Sequence, residues 1–230
     1  AISYTRWNTA TGEPNDSGGN EDCAEINANL GYNWNDAPCT LTYAFICEAT
    51  PRQGDPAAIG CADGAREGFA DPTAFPDIAA CSGGWSVAGV QNSTPACGHT
   101  AGDDGAKPTG AGCSAADLCA EGWHVCASAA DVAASSPGGC ASIGSNANLF
   151  FATGQSGPGA GSCAEGTDDV FGCGTLGATA SAGCAPLDRT SGNLCGSLSV
   201  EWGCGTNAAA EAANLTKSGP GGGGVLCCRD

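Results

Sequence analysis

Large apolar side chains are widely spaced along this chain, and few segments show the periodicity of a helix or a strand. Leucine, isoleucine, valine and phenylalanine together make up about one residue in eight. Two segments begin with Ser-Ala-Ala-Asp, at Ser114 and Ser128, and serine is a favourable N-cap for a short helix. Residues 123–126 and 225–228 are predicted strands, and 219–224 is a predicted glycine-rich loop. The pattern indicates an α+β protein with little regular secondary structure.

The composition explains how such a chain can fold. A formal charge of −17 with few large apolar residues is typical of disordered proteins. The chain also contains 17 cysteines, and each disulfide bond typically stabilises a fold by ~2–4 kcal/mol. Because disulfides persist outside the reducing cytosol, we expect a disulfide-rich protein that is secreted or lies on an extracellular surface.

Charge and motifs also exclude several functions. Seven basic residues against 24 acidic ones argue against a nucleic-acid partner. No apolar run approaches the ~20 residues of a membrane-spanning helix. Two histidines, His99 and His124, and the lack of a Cys-x-x-Cys motif offer little for a zinc site. No Gly-x-Ser-x-Gly motif occurs, and we predict that the protein is not an enzyme.

The composition changes near residue 50 and divides the chain into two regions. Residues 1–50 hold three cysteines and several clusters of asparagine and acidic residues. Residues 51–60 contain two prolines and are predicted to be a linker. The other fourteen cysteines lie within 61–230, among glycine, alanine, serine and threonine. We therefore expect an N-terminal domain, a linker and a cysteine-rich domain.

Oxygen-bearing side chains in the first region indicate a calcium site. Calcium prefers about six to eight hard oxygen ligands from carboxylates, amides and water. Five side chains would supply most of this shell: Glu13, Asn15, Glu21, Asn35 and Asp36. They come from two segments, which a Cys23–Cys39 disulfide would hold together. Asp16 and Asp22 are interpreted as solvated neighbours rather than ligands.

Residues 3–48 resemble the C-terminal half of a C-type lectin-like domain. Four motifs in order carry the resemblance: Glu13-Pro14-Asn15, Glu21-Asp22-Cys23, Trp34-Asn35-Asp36 and Phe45-Ile46-Cys47-Glu48. The resemblance implies that Glu13, Asn15, Glu21, Asn35 and Asp36 hold calcium and carbohydrate together, with Pro14 in the cis form. In that family the Glu-Pro-Asn order accompanies mannose-type vicinal hydroxyls, so a glycan of this type is the expected partner.

An alternative function stays open. The calcium ion would then have a purely structural role, and the protein would be a subunit of an extracellular assembly or filament. Cys47 bears on this choice because it is left over when Cys23 pairs with Cys39 and the other fourteen cysteines pair among themselves. Its partner is then expected in another copy of the chain or in a missing N-terminal segment.

The cysteine-rich region more distantly resembles a diverged copy of the same fold. Its order of helix, strand and helix over 114–134, with Cys119 on the first helix, is similar to the opening of that fold. Residues 149–151 would then be its central strand, and 225–228 a closing strand bridged to Cys119. Neither Glu-Pro-Asn nor Trp-Asn-Asp occurs in this region, so we expect no calcium site there.

Overall fold

The structure consists of two compact units, Ala1–Thr50 and Pro51–Asp230. It is a computed structural model that describes residues 7–21, 23–27, 33–41, 56–144, 148–157, 169–176, 178–179, 184–190 and 194–230. The motif Phe45-Ile46-Cys47-Glu48, which includes the unpaired cysteine expected from sequence, lies outside the described residues. We call the two parts the N-terminal unit and the cysteine-rich unit and describe each by itself.

Two antiparallel strands, β1 (Cys23–Asn27) and β2 (Asn33–Ala37), form the sheet of the N-terminal unit. Strand β2 contains the Trp34-Asn35-Asp36 motif. The predicted disulfide between Cys23 and Cys39 is confirmed and closes the open end of this hairpin, with 5.1 Å between the two Cα atoms.

Hydrophobic packing in the N-terminal unit is limited. The rings of Trp7 and Trp34 meet edge to face, with 5.7 Å between their centroids. Among the described residues of this unit, Ala37 is the only buried apolar side chain, and Ile26 and Leu41 are each 49% exposed. The disulfide and hydrogen bonds therefore contribute much of the local order.

A seven-stranded mixed sheet organises the cysteine-rich unit. Its strands are β3 (Ile78–Ser82), β4 (Trp123–Val125), β5 (Phe150–Gly157), β6 (Asp169–Gly174), β7 (Ala178–Thr179), β8 (Asp188–Arg189) and β11 (Gly223–Arg229). A separate two-stranded sheet contains β9 (Trp202–Gly203) and β10 (Thr216–Lys217). The described helices are α1 (Pro56–Ile59), α2 (Ala129–Ser135), α3 (Glu211–Asn214) and two 3-10 helices, Ala115–Leu118 and Gly139–Ser142.

Strand β11 pairs with three other strands of the large sheet. It pairs antiparallel with β3 along one edge. Its other edge pairs first with β5, in parallel, and then with β4, antiparallel. Three segments that are far apart in sequence are therefore held by one strand.

Both faces of β11 are buried, because its successive side chains point in opposite directions. Val225 and Cys227 pack in one hydrophobic cluster, and Leu226 and Cys228 pack in the other. Cys227 bonds to Cys119 and Cys228 bonds to Cys126, so each face is also cross-linked. The bridge that the resemblance implied between the closing strand and Cys119 is confirmed.

Further disulfides connect the loops of this unit. Four more join described residues: Cys61–Cys81, Cys97–Cys113, Cys140–Cys173 and Cys195–Cys204. Cys184 is disulfide-bonded as well. The predicted α+β class, with many disulfides and little regular secondary structure, is confirmed. Within the described part of the chain, none of the helices is both long and apolar enough to span a membrane.

The local predictions in the cysteine-rich unit agree with the structure in most places. Ser114 precedes the first 3-10 helix, and Ser128 caps α2 by accepting the N–H of Asp131. The predicted strands at 123–126 and 149–151 correspond to β4 and the start of β5.

Two predictions of irregular structure differ from what is observed. The predicted loop at 219–224 is wrong at its end, because Gly223 already belongs to β11 and lies against the backbone of Phe150. A Cβ atom at Gly223 would lie 2.1 Å from the carbonyl oxygen of Phe150, and only glycine allows this approach. In the predicted linker, residues 51–55 lie outside the described residues, and α1 begins at Pro56, a residue tolerated in a first helical turn.

Candidate functional site

The candidate site lies where the loop before β1 meets β2. The backbone N–H of Asn8 donates to the carbonyl of Trp34 at 3.0 Å, and the N–H of Glu13 donates to the carbonyl of Asn8 at 3.1 Å. Asn8 itself is buried. The peptide bond between Glu13 and Pro14 is cis, as the resemblance implied. The start of the Glu-Pro-Asn loop is thus attached to the neighbouring strand.

The carboxylate of Asp36 binds this loop directly. It accepts the backbone N–H of Asn15 at 3.1 Å and that of Asp16 at 2.7 Å. Asp36 is only 5% exposed. Burial alone would raise the pKa of Asp36, but the N–H groups of Asp16 and Asn15 stabilise its charged form and bring the pKa below the ordinary value. A buried, ionised carboxylate therefore faces the loop.

Glu13 and Asn15 interact through their side chains. The amide nitrogen of Asn15 donates to Oε2 of Glu13 at 2.6 Å. Because the nitrogen is used in this bond, the amide oxygen of Asn15 and the second carboxylate oxygen of Glu13 are the atoms suited to accept a further ligand.

Glu21 is connected to the same loop through Asp16. The N–H of Glu21 donates to Oδ1 of Asp16 at 3.1 Å. The carboxylate of Glu21 in turn accepts the N–H of Ser17 at 2.6 Å. These two bonds close the 16–21 turn and determine where the Glu21 carboxylate lies.

Asn35 lies opposite Glu25 in the register of the hairpin. Its amide nitrogen donates to Oε1 of Glu25 at 3.2 Å and to the carbonyl oxygen of Asp36 at 2.6 Å. Side chains alternate along a strand, so Asn35 shares a face with Glu25, whereas Asp36 shares the other face with Ala24. Asn35 and Asp36 therefore approach the edge of β2 from opposite sides.

All five predicted residues belong to one hydrogen-bond network, but they are not linked in the same way. Glu13, Asn15 and Asp36 are joined by direct bonds. Glu21 joins through Asp16, and Asn35 joins through the main chain of Asp36.

Glu25 is absent from the sequence motifs, and Asp16 was expected to be a solvated neighbour. Asp16 is exposed, but its main chain and side chain each make a hydrogen bond within the site. The signal for Glu25 was the cross-strand register, which pairs it with Asn35. Asp22 lies outside the described residues.

The donor atoms in this network match the preferences of a hard divalent cation. They are carboxylate and amide oxygens, without a thiolate or an imidazole, and calcium is the common protein-bound ion with this preference. The Asp36 oxygens can accept more than one partner each, so their N–H bonds still leave room for an ion. The residues present therefore fit calcium by chemistry.

Two other groups of possible metal ligands occur among the described residues, and both are in the cysteine-rich unit. Their members are Cys97, Cys113 and Asp117 in one group, and Cys126, Asp131 and Cys228 in the other. In each group the two cysteines are bonded to each other. Neither group offers a thiolate, and we assign no metal to them.

His124 is a titratable side chain of the cysteine-rich unit that contacts two carboxylates. Its Nδ1 lies 2.7 Å from Oδ1 of Asp230, and its Nε2 lies 3.1 Å from Oδ2 of Asp131. Partial burial alone would lower the pKa of His124, but the bonds to Asp230 and Asp131 raise it above its ordinary value. With both ring nitrogens engaged by carboxylates, this histidine is suited to stabilising the fold rather than to general-base catalysis.

Comparison with known proteins gives matches in the N-terminal unit. Residues 1–49 match the family model of the lectin C-type domain. A C-type lectin of Micrurus corallinus is 50% identical over 48 residues, which are 20% of this chain and 29% of that protein. A C-type lectin mannose-binding isoform of Oxyuranus scutellatus is 50% identical over 46 residues, 20% of this chain and 28% of that protein.

A third relative matches this chain over a smaller share of its own length. Human C-type lectin domain family 4 member K is 54% identical over 37 residues, which are 16% of this chain and 11% of that protein. The chain thus spans less than a third of each of these three relatives. No solved structure matches the chain.

Proposed function

We propose that the N-terminal unit binds glycans through calcium, because residues 1–49 match the family model of the lectin C-type domain. The ligands of the ion are Glu13, Asn15, Glu21, Asn35 and Asp36. Calcium supplies a centre that two vicinal sugar hydroxyls can coordinate. The observation that carries the proposal is the pair of bonds from the Asp36 carboxylate to the N–H groups of Asn15 and Asp16, because they join the two ligand-bearing segments.

The side chains around the ion also have a role toward the sugar. A coordinated hydroxyl donates a hydrogen bond to a carboxylate such as Glu13 or Glu21. It accepts a hydrogen bond from an amide such as Asn15 or Asn35. Glu13 and Asn15 already form an acceptor and donor pair at 2.6 Å. On binding, the sugar hydroxyl would replace this internal hydrogen bond. It would donate to Glu13 and accept from Asn15, so the hydroxyl would be satisfied both as donor and as acceptor.

The proposed glycan has mannose-type vicinal hydroxyls. Support comes from the Glu-Pro-Asn order and from the name of the mannose-binding relative. We further propose that the protein acts in a secreted or surface-displayed form, since its fold depends on disulfides. The cysteine-rich unit is proposed to be a separate domain, and we assign no glycan to it.

The test is retention of the full chain on immobilised mannose. Wild-type protein is expected to bind in calcium and to elute with a chelator, and a galactose column should retain it less. Glu13→Gln should reduce retention, because it removes charge at the ion. Glu121→Gln, an exposed glutamate in the other unit, is the matched control. Retention that is unaffected by the chelator would contradict the proposal.

The alternative is a structural role in an extracellular assembly, and one observation favours it. Since Ala37 is the only buried apolar side chain among the described residues of the N-terminal unit, contacts with a neighbouring chain would add stability. Light scattering with and without calcium tests this alternative. A calcium-dependent increase in mass without mannose retention would favour assembly over glycan binding.

A further inference from the structure

One motif in the cysteine-rich unit has no part in the proposed function. It is the triplet Asn92-Ser93-Thr94, which fits the Asn-x-Ser/Thr pattern of an acceptor for an N-linked glycan. We propose that the side-chain nitrogen of Asn92 carries an N-linked glycan in the secreted protein. This inference is independent of glycan binding by the N-terminal unit. It requires passage through a secretory compartment, which the disulfides indicate.

The conformation of the triplet leaves the reactive nitrogen free. Oδ1 of Asn92 accepts the backbone N–H of Thr94 at 3.0 Å, and this bond closes an Asx turn. Because the oxygen is held in the turn, Nδ2 is the end of the amide that remains available. Among the described residues, none accepts a hydrogen bond from this nitrogen. The turn joins residues two positions apart, so it can also form before the rest of the fold.

The triplet is also accessible in the folded protein. Ser93 and Thr94 are exposed, and Asn92 is partly exposed. The loop is fixed at the carbonyl of Thr94, which accepts the hydroxyl of Ser114 at 2.8 Å. A glycan on Asn92 would therefore extend into solvent while the loop keeps its attachment to the fold.

The other triplets of this pattern have a less favourable geometry. They are Asn15-Asp16-Ser17 and Asn214-Leu215-Thr216. The amide nitrogen of Asn15 already donates to Glu13 at 2.6 Å. In the second triplet, Leu215 is fully buried, and the hydroxyl of Thr216 donates to a main-chain carbonyl at 3.4 Å. The structure therefore favours Asn92 as the acceptor.

The proposed modification is a group transfer by a glycosyltransferase of the host cell. Nδ2 of Asn92 attacks C1 of the first sugar in an oligosaccharide that is linked to a lipid diphosphate. The bond between Nδ2 and C1 forms, the bond between C1 and the phosphate oxygen breaks, and the lipid diphosphate leaves. Nδ2 gives up one proton to a base of the transferase. Thr94 supplies the hydroxyl that the acceptor pattern requires.

Asn207 offers a matched control, because it forms the same Asx turn without a hydroxyl at the third position. Its Oδ1 accepts the backbone N–H of Ala209 at 3.0 Å, and both residues are exposed. Asn207 should therefore stay unmodified in the wild-type protein. Ala209→Thr completes the acceptor pattern at this turn, and it should add a second glycan at Asn207.

The experiment is peptide mass mapping of the full chain secreted from a eukaryotic cell line, before and after treatment with peptide N-glycosidase. This enzyme deamidates the asparagine from which it removes a glycan, so Asn92 should become deamidated. Thr94→Ala keeps the N–H that closes the turn but removes the hydroxyl, and it should abolish the glycan, whereas Thr94→Ser should retain it. Pro95 restricts the backbone of Thr94, so we expect partial occupancy in wild type and higher occupancy in Pro95→Ala.

The outcomes are separate from those of the proposed function. An unmodified Asn92 in the secreted wild type would overturn the inference, and it would leave retention on mannose untouched. A glycan that persists in Thr94→Ala would also overturn it, as would secreted Ala209→Thr without a glycan at Asn207, because turn and hydroxyl would then not select the acceptor. The wild-type measurement decides the question even where a variant is not secreted.

Discussion

Asn15 and Asp36 are 21 residues apart in sequence, yet the carboxylate of Asp36 accepts the backbone N–H of Asn15 at 3.1 Å. With the second bond to Asp16, this contact attaches the Glu-Pro-Asn loop to the Trp-Asn-Asp strand. The Asp36 side chain thus holds the loop in place and is also one of the proposed calcium ligands.

Replacement of Asp36 should therefore affect binding strongly. Asp36→Ala removes the acceptor of two backbone N–H groups, those of Asn15 and Asp16, as well as one proposed ligand. We expect calcium affinity to fall on the order of 100-fold or more, as measured by calorimetry. Glu121→Ala, an exposed site in the cysteine-rich unit, should have no effect. Wild-type affinity in Asp36→Ala would contradict the assignment of this ligand.

Calcium removal should loosen the turn that carries Glu21. Without the ion, the carboxylates of Glu13, Glu21 and Asp36 repel one another. A Glu-specific protease should then cut after Glu21 faster in chelator than in calcium, as followed by mass spectrometry. Cleavage after Glu121 is an internal control and should proceed at one rate in both conditions. Equal cleavage after Glu21 would mean that the ion does not order the turn.

Acid should stabilise the cysteine-rich unit over a defined range. Burial raises the pKa of Asp63 to about 6 and that of Glu67 to about 7, from ordinary values of 3.8 and 4.5. At pH values between the ordinary and the raised pKa of each group, the folded state therefore binds more protons than the unfolded state. The free energy of unfolding rises as the pH falls through this range. We expect a gain on the order of 2–4 kcal/mol, measured by urea unfolding at pH 8 and pH 5.

A variant of Glu67 isolates this effect from the high net charge. Glu67 accepts the N–H of Ser82 at 2.6 Å, and Glu67→Gln keeps an acceptor there while removing the charge. It should be more stable than wild type at pH 8 and show a smaller pH dependence. Glu121→Gln makes the same change in net charge on the surface and should leave the pH profile unchanged. An identical profile for both variants would refute the role of Glu67.

Removal of the long-range disulfides should be more costly than removal of a short one. Cys119 and Cys227 are separated by 108 residues, and Cys195 and Cys204 by 9. Loop-closure entropy then gives about 4.8 kcal/mol for the first bridge and about 2.7 kcal/mol for the second. We expect Cys119→Ala/Cys227→Ala to lower the free energy of unfolding more than Cys195→Ala/Cys204→Ala. The reverse order in denaturant titrations would contradict the entropic explanation.

The predictions from sequence that agree with the structure rest on local or strongly constrained signals. Ser128 caps its helix because the required partner, Asp131, is only three residues away. Cys23 and Cys39 were expected to pair because their segments carry motifs of a known order. The same motifs selected the five proposed oxygen ligands, and their binding of calcium stays a prediction.

The remaining features depend on contacts between distant segments. Gly223 was assigned to a loop because its composition gives no indication that Phe150 lies directly beside it. Glu25 was overlooked since its importance comes from pairing with Asn35 across the hairpin. Among fourteen cysteines, the number of possible pairings is too large for composition alone to select the observed ones.

The arrangement around β11 has a consequence for biosynthesis. The ribosome makes β3, β4 and β5 before the strand that holds them together, and Cys119 and Cys126 precede their partners by 108 and 102 residues. Until Cys227 and Cys228 have been synthesised, the earlier strands lack β11 as a partner, and Cys119 and Cys126 lack their native disulfide partners. The cysteine-rich unit therefore completes its fold only after translation of the last strand, and its yield should depend on disulfide isomerase activity in the host cell.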